Sequence, residues 1–230
     1  MRRSVVVVVV VLAALAAGCA GGGTGGGPGP SVAPAASGGP VFGYTSRPID
    51  AGVRPLLRHS WRAGCPVGLG DLRYLRLDHW GADGRVHRGA MVVHRTLARN
   101  VVATFRTLFE ARFPVARMQL VDVYQADDDR SMAANNTSAF NCRKVAGSSR
   151  WSEHAYGRAI DLNPVQNPYV TRSGRVSPPA GRAWADRARR APGMVHAGDA
   201  TVRAFAAIGW GWGGTWRGAK DYQHFSSTGR

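Results

Sequence analysis

Acidic side chains are scarce in this sequence: 14 Asp and Glu stand against 30 Lys and Arg, for a formal net charge of +16. Lysine is scarcer still, present only at Lys144 and Lys220, so nearly all the positive charge is arginine. Neither a basic helix nor an aromatic–glycine strand motif accompanies it, which argues against a nucleic-acid partner. The arginines are scattered, so two readings of the charge stand. One is attraction to an anionic surface such as a cell-wall polymer or a membrane; the other is an arginine-rich composition spread over a solvated exterior. There is no repeat, and no apolar run reaches the roughly 20 residues of a membrane-spanning helix. The run from Val5 to Ala17 stops short of that, and cysteine is limited to Cys19, Cys65 and Cys142.

What is there begins with an export signal. Arg2 and Arg3 precede the apolar run, and small residues follow it, as at a signal-peptidase site. Leu15-Ala16-Ala17-Gly18-Cys19 resembles a bacterial lipobox, with Ala16 where leucine is usual. Residues 1–18 are therefore expected to be a signal peptide, Cys19 to carry lipid, and residues 19–40, rich in Gly, Pro, Ala and Ser, to form a flexible tether. With Cys19 lipidated, Cys65 and Cys142 remain in an oxidising compartment and are expected to pair. Residues 41–230 are long enough for one domain with a real core, and 44% of the whole chain is hydrophobic.

Along that domain, Leu69 to Trp80 reads as a strand, although Leu75 blurs the alternation, and Gly89 to His94 as a short buried one. Leu97, Val101, Val102, Phe105, Leu108, Phe109 and Phe113 recur at helical spacing up to Pro114, which predicts a helix over 95–113. Met118 to Tyr124 and Gly157 to Leu162 read as strands. Residues 182–190 and 199–208 read as helices, the second stopped by Gly209. The polar stretch from Ala126 to Trp151 is long enough to suggest a functional loop. Order and composition predict a single α+β domain with a small, mainly antiparallel sheet and flanking helices.

Two segments carry chemistry. In Ser152-Glu153-His154-Ala155-Tyr156-Gly157-Arg158-Ala159-Ile160-Asp161, Ile160 and Leu162 face the core of a strand and Asp161 faces the other way, near a histidine. In Asp221-Tyr222-Gln223-His224-Phe225, a tight turn can bring Asp221 and His224 together. Two imidazoles and one carboxylate leave an open position on zinc, the pattern of a catalytic centre. The remaining histidines, His59, His79, His87, His94 and His196, read as structural. Asp127, Asp128 and Asp129 read as a solvated acidic loop rather than a calcium site. The sequon Asn135-Asn136-Thr137 is discounted in a bacterial export context.

These two segments resemble the signatures of the D-alanyl-D-alanine carboxypeptidase family of zinc peptidases, the VanY and VanX type, which also contains L-alanyl-D-glutamate endopeptidases. The resemblance implies a DD-peptidase or Hedgehog-like zinc fold, zinc held by His154, Asp161 and His224, and Asp221 as general base where relatives often carry glutamate. The family's substrate-binding arginine sits in a Gly-Tyr-Arg-Ser motif that this chain lacks. Arg143 is the substitute, since a guanidinium suits an oxyanion or a terminal carboxylate. Ser152 and Trp212 are nominated as substrate contacts, although the Trp210–Gly214 run and Trp216 can equally pack beneath the zinc. The expected protein is a monomeric, wall-facing peptidase acting on peptidoglycan stem peptides. Removal of a terminal D-alanine is favoured over the endopeptidase cut, and over a non-enzymatic wall-binding protein on the same fold.

Overall fold

A computed structural model describes residues 39–230; the expected signal peptide, Cys19 and nearly all of the expected tether lie outside the described residues. The first sheet is an antiparallel meander of β1 (Tyr44–Pro48), β2 (Leu72–Trp80) and β3 (Val86–His94), followed by the helix α1 (Ala98–Glu110). The blurred alternation of β2 has a physical cause: both faces of the sheet are covered. Leu75 and Leu77 of β2, with Met91 and Val93 of β3, join the main core under Val101, Phe105, Leu108 and Phe109 of α1. Leu72 and Val92 face a second cluster with Val53, Leu57, Phe140 and Cys142. A strand buried on both faces loses its two-residue period.

The short helix α2 (Asp128–Ala133) follows, begun by Asp127, whose carboxylate accepts from the Arg130 N–H. The strands β4 (Ala159–Asp161), β5 (Tyr169–Val170) and β6 (Val176–Ser177) precede α3 (Ala200–Ala206). The chain then forms β7 (Gly211–Trp212), β8 (Lys220–Asp221) and β9 (His224–Ser226). Two further antiparallel sheets result, in the orders β4-β9-β7 and β6-β5-β8. The α+β class is as expected, with three small sheets in place of one. The core runs on beneath the second sheet, where Phe205 of α3 stacks on Phe225 of β9 with ring centres 4.0 Å apart.

Two expected elements are corrected. Met118 to Tyr124 is not a strand: its end is a 3-10 turn, Val121–Tyr124, and its start makes only a bridge between Met118 and Thr137. Asp122 explains the turn, because its carboxylate accepts from the His59 and Ser60 N–H groups and fixes that segment against the chain before β2. Residues 182–190 are not an α-helix; a 3-10 turn over Pro179–Trp184 gives way to open turns. Arg187 organises them instead, donating to the carbonyls of Gln166, Trp184 and Val195 and to the side chain of Asn167.

Cys65 and Cys142 are joined in a disulfide across a sequence separation of 77. It ties the second cluster to the loop that leads into the site. Gly157 fixes a second crossing: its φ is +65°, its carbonyl accepts from the His94 N–H at 2.8 Å, and an added Cβ would lie 2.6 Å from that nitrogen. Gly157→Ala is therefore expected to destabilise the domain by about 2–4 kcal/mol. Denaturant unfolding should show a lowered midpoint at constant slope; an unchanged midpoint would contradict this account of the crossing.

Candidate metal centre

His154 sits in the 3-10 turn Glu153–Tyr156, Asp161 ends β4, and His224 begins β9, where it is paired in register with Asp161. The reason for the strand's polarity is visible in packing. Ile160 and Leu162 are fully buried in the core, so Asp161 must project from the opposite face of β4. All three side chains are nearly inaccessible to solvent. Asp161 Oδ2 lies 3.1 Å from His154 Nε2, Asp161 Oδ1 lies 3.0 Å from His224 Nδ1, and the two ring nitrogens are 3.3 Å apart.

The outward nitrogens decide which atoms are free to ligate. His154 Nδ1–H donates to the Ala139 carbonyl at 2.6 Å, and His224 Nε2–H donates to the Arg230 carbonyl at 2.9 Å. Each imidazole is thus oriented by a backbone acceptor, which leaves His154 Nε2 and His224 Nδ1 turned inward with Asp161. Tetrahedral ligands at ordinary zinc–nitrogen and zinc–oxygen distances stand about 3.3 Å from each other. The observed triangle of 3.0, 3.1 and 3.3 Å has that size, so these residues fit a zinc ion. Among the described residues, this is the one group of three metal-ligating side chains whose ligand atoms converge.

Asp221 stands beside them on β8. Its Oδ1 is shielded from solvent and lacks a hydrogen-bond partner. Burial first, and then the negative charge of Asp161, push its carboxyl up to about 7. The histidine charges and Gln223 pull the other way without prevailing. Burial opposes the ionisation of Asp161 too, but the charge of His154 and hydrogen bonds from both histidines overcome it and hold the group far below the usual carboxylate range. For His224, burial lowers the pKa, yet the hydrogen bond and charge of Asp161 and the charge of Asp221 raise it to about 9. The centre therefore pairs an ionised carboxylate with a second acid poised near neutral pH, the arrangement that acid–base chemistry requires. Gly213 makes room for it, because a Cβ there would lie 2.5 Å from the Asp221 carbonyl oxygen and 2.8 Å from its Cβ.

The other nominated residues surround this centre in different roles. The Ser152 hydroxyl is buried and accepts from the His154 N–H at 3.3 Å, so it caps the turn that presents the histidine. Trp212 lies in the core with 5% of its surface exposed; its indole N–H donates to the Tyr222 carbonyl at 2.9 Å. Of its two expected roles it takes the packing one, bracing the turn from within the core. Trp216 comes nearer the centre, with its ring 5.4 Å from that of His224. Arg143 pairs with Asp128 at 2.9 Å, and its backbone carbonyl accepts from the Ser152 N–H at 3.1 Å.

Asp128 is the residue that sequence reasoning missed. It lies in a run of three aspartates that looks solvated, but Asp127 is spent on capping, Asp129 is exposed, and Asp128 is half-buried against Arg143. The asparagines of this loop are also structural. Asn136 is fully buried and bonds Gln119 and Ser131, and the Asn135 amide bonds Gln166 and Val165. Of the other histidines, His79 is buried against the Trp80 carbonyl, His87 bonds Asp83, and His94 bonds Thr96.

Comparison with known proteins bears on the same stretch. Residues 146–227, which carry His154, Asp161, Asp221 and His224, match the model of the family described as D-alanyl-D-alanine carboxypeptidase, a family of zinc peptidases. No curated protein and no solved structure matches the chain.

Proposed function

We propose that this chain, with the D-alanyl-D-alanine carboxypeptidase signature in residues 146–227, is a zinc-dependent peptidase that removes the terminal D-alanine from peptidoglycan stem peptides. The observation that carries the reading is the convergence of His154 Nε2, Asp161 and His224 Nδ1 beside the unpartnered Asp221 oxygen. Zinc held by these three ligands would supply Lewis-acid activation of water and of the scissile carbonyl. Asp221 accepts the proton of the attacking water and returns one to the leaving amine, the two halves of general acid–base catalysis. Asp161 stays ionised throughout, as a metal-ligating carboxylate must. Arg143 binds the C-terminal carboxylate of the stem by charge-assisted hydrogen bonds and so fixes which peptide bond meets the centre.

The cell-envelope setting rests on the N-terminal sequence. A signal peptide over 1–18, lipid on Cys19 and a tether to residue 40 would place the domain outside the membrane and within reach of the wall. The Cys65–Cys142 disulfide is consistent with an oxidising compartment. The decisive experiment is incubation of the zinc-loaded protein with purified muropeptides, with products weighed by mass spectrometry. The reading predicts loss of one alanine from pentapeptide stems. Scission inside the stem would move the activity to the endopeptidase cut, and intact stems with zinc fully bound would refute catalysis.

A further inference from the structure

Arg143 and Asp128 form an ion pair outside the group of metal-ligating side chains. The guanidinium Nη2 meets the Asp128 carboxylate at 2.9 Å, and the two side chains are only 29% and 27% exposed. An isolated pair on an open surface contributes little; this one is sheltered, and the Arg143 carbonyl accepts from the N–H of Ser152, two residues before His154. Burial is the main influence on Asp128 and raises its pKa, the Arg143 charge lowers it, and the next influences are the charges of Asp161 and His154. Asp128 is thus electrostatically in touch with two of the three metal ligands.

Both partners are mounted on restrained backbone. Arg143 directly follows Cys142, whose disulfide anchors it to Cys65. The Cys142 N–H donates to the Ser60 carbonyl, and its own carbonyl accepts from Arg62. The Asn141 side chain donates to the Ala126 carbonyl, which ties the Arg143 segment to the segment carrying Asp128. Asn141 N–H also donates to the His154 carbonyl. The guanidinium itself is less constrained: its Nε is shielded without an acceptor, and its Nη1 makes only a 3.5 Å contact with the Lys144 carbonyl. Without Asp128, no close polar partner would hold the head of Arg143.

We propose that Asp128 is a positioning residue that aims the Arg143 guanidinium at the substrate's terminal carboxylate, so that the pair sets specificity for peptides with a free C-terminal carboxylate. This rests on the reading of Arg143 as the substrate cation. The carboxylate of Asp128 takes one edge of the fork and leaves the remaining Nη hydrogens for the ligand.

The test uses the full chain and two readouts. One is turnover of a stem pentapeptide by the zinc-loaded protein. The other is calorimetric binding of the same stem pentapeptide to the metal-free protein, which does not turn it over. Asp128→Asn and Arg143→Ala should each weaken pentapeptide binding and raise KM on the order of 10–100-fold, with a much smaller change in kcat. Asp128→Glu should recover part of the loss. Asp128→Ala added to Arg143→Ala should cost no more than about 2-fold further, because its effect runs through the arginine. Zinc content and melting temperature identify any variant that fails to fold, and the Glu and Asn variants preserve the test if the alanine variant does.

Additive losses in the double variant, or a loss confined to kcat with pentapeptide affinity intact, would overturn the proposal. Wild-type binding that depends on both residues, without any turnover, would support the pair and overturn the enzymatic reading. Turnover that ignores both residues would overturn the pair alone.

Discussion

Asp221→Asn should abolish turnover, retain zinc and, in metal-free protein at pH 8, melt higher than the wild type. The first effect follows from removal of the proton acceptor, a loss of about 10²–10⁴-fold in kcat for a general base. The second follows because the three ligand atoms come from His154, Asp161 and His224. The third follows from the displaced acidity. The folded Asp221 is raised to about 7, against an ordinary value of 3.8. An acid that is harder to ionise in the folded state costs stability as pH rises above its unfolded pKa, and the cost is complete once pH passes the folded one. The amide removes a cost of up to about 4 kcal/mol at pH 8 and almost none near pH 4. Thermal unfolding of the metal-free pair across this range checks the sign. Equal melting at pH 8, or full activity in the variant, would remove Asp221 from the role given to it.

Chelation should bring activity to background, zinc should restore it, and zinc affinity should climb about tenfold per pH unit between about pH 7 and pH 9. The slope comes from His224, which Asp161 and Asp221 raise to about 9 against the opposing effect of burial. At neutral pH that proton must leave before Nδ1 can ligate. The same proton stabilises the metal-free fold; this contribution is fully present below pH 6.5 and lost as pH rises through about 9. Asp161→Asn removes both a ligand and the charge that holds the proton, so it should lose zinc and flatten the pH dependence of what weak binding remains. Competition titration with a chromogenic chelator at several pH values measures both. A pH-independent affinity in the wild type would contradict the electrostatics of the centre.

The centre was legible in the sequence because its signals are local. Gly157 ends a turn, and Ile160 and Leu162 flank Asp161 with the two-residue period of a strand, so the burial of the first two dictates the direction of the third. The fold around it was legible where one face is apolar, as in α1, and poorly legible where tertiary contacts choose the conformation. Asp122 gives up strand pairing to receive the His59 and Ser60 N–H groups, from residues more than 60 positions away. Arg187 replaces a helix with a network to four partners. Trp212 read equally as a substrate contact or as packing, because an aromatic–glycine run carries no sign of which side faces solvent; its place is set by Phe225 and Tyr222. Asp128 was hidden for a related reason. Its neighbours Asp127 and Asp129 are spent on a cap and on solvent, and only the helical turn separates its direction from theirs.

The most direct test is zinc K-edge X-ray absorption on the purified protein at one metal per chain. The account predicts light-atom scatterers only, at about 2.0–2.1 Å, with the imidazole outer-shell pattern of two histidines, reduced to one in His224→Ala. Sulfur scatterers near 2.3 Å, or an imidazole pattern unchanged by loss of His224, would contradict it.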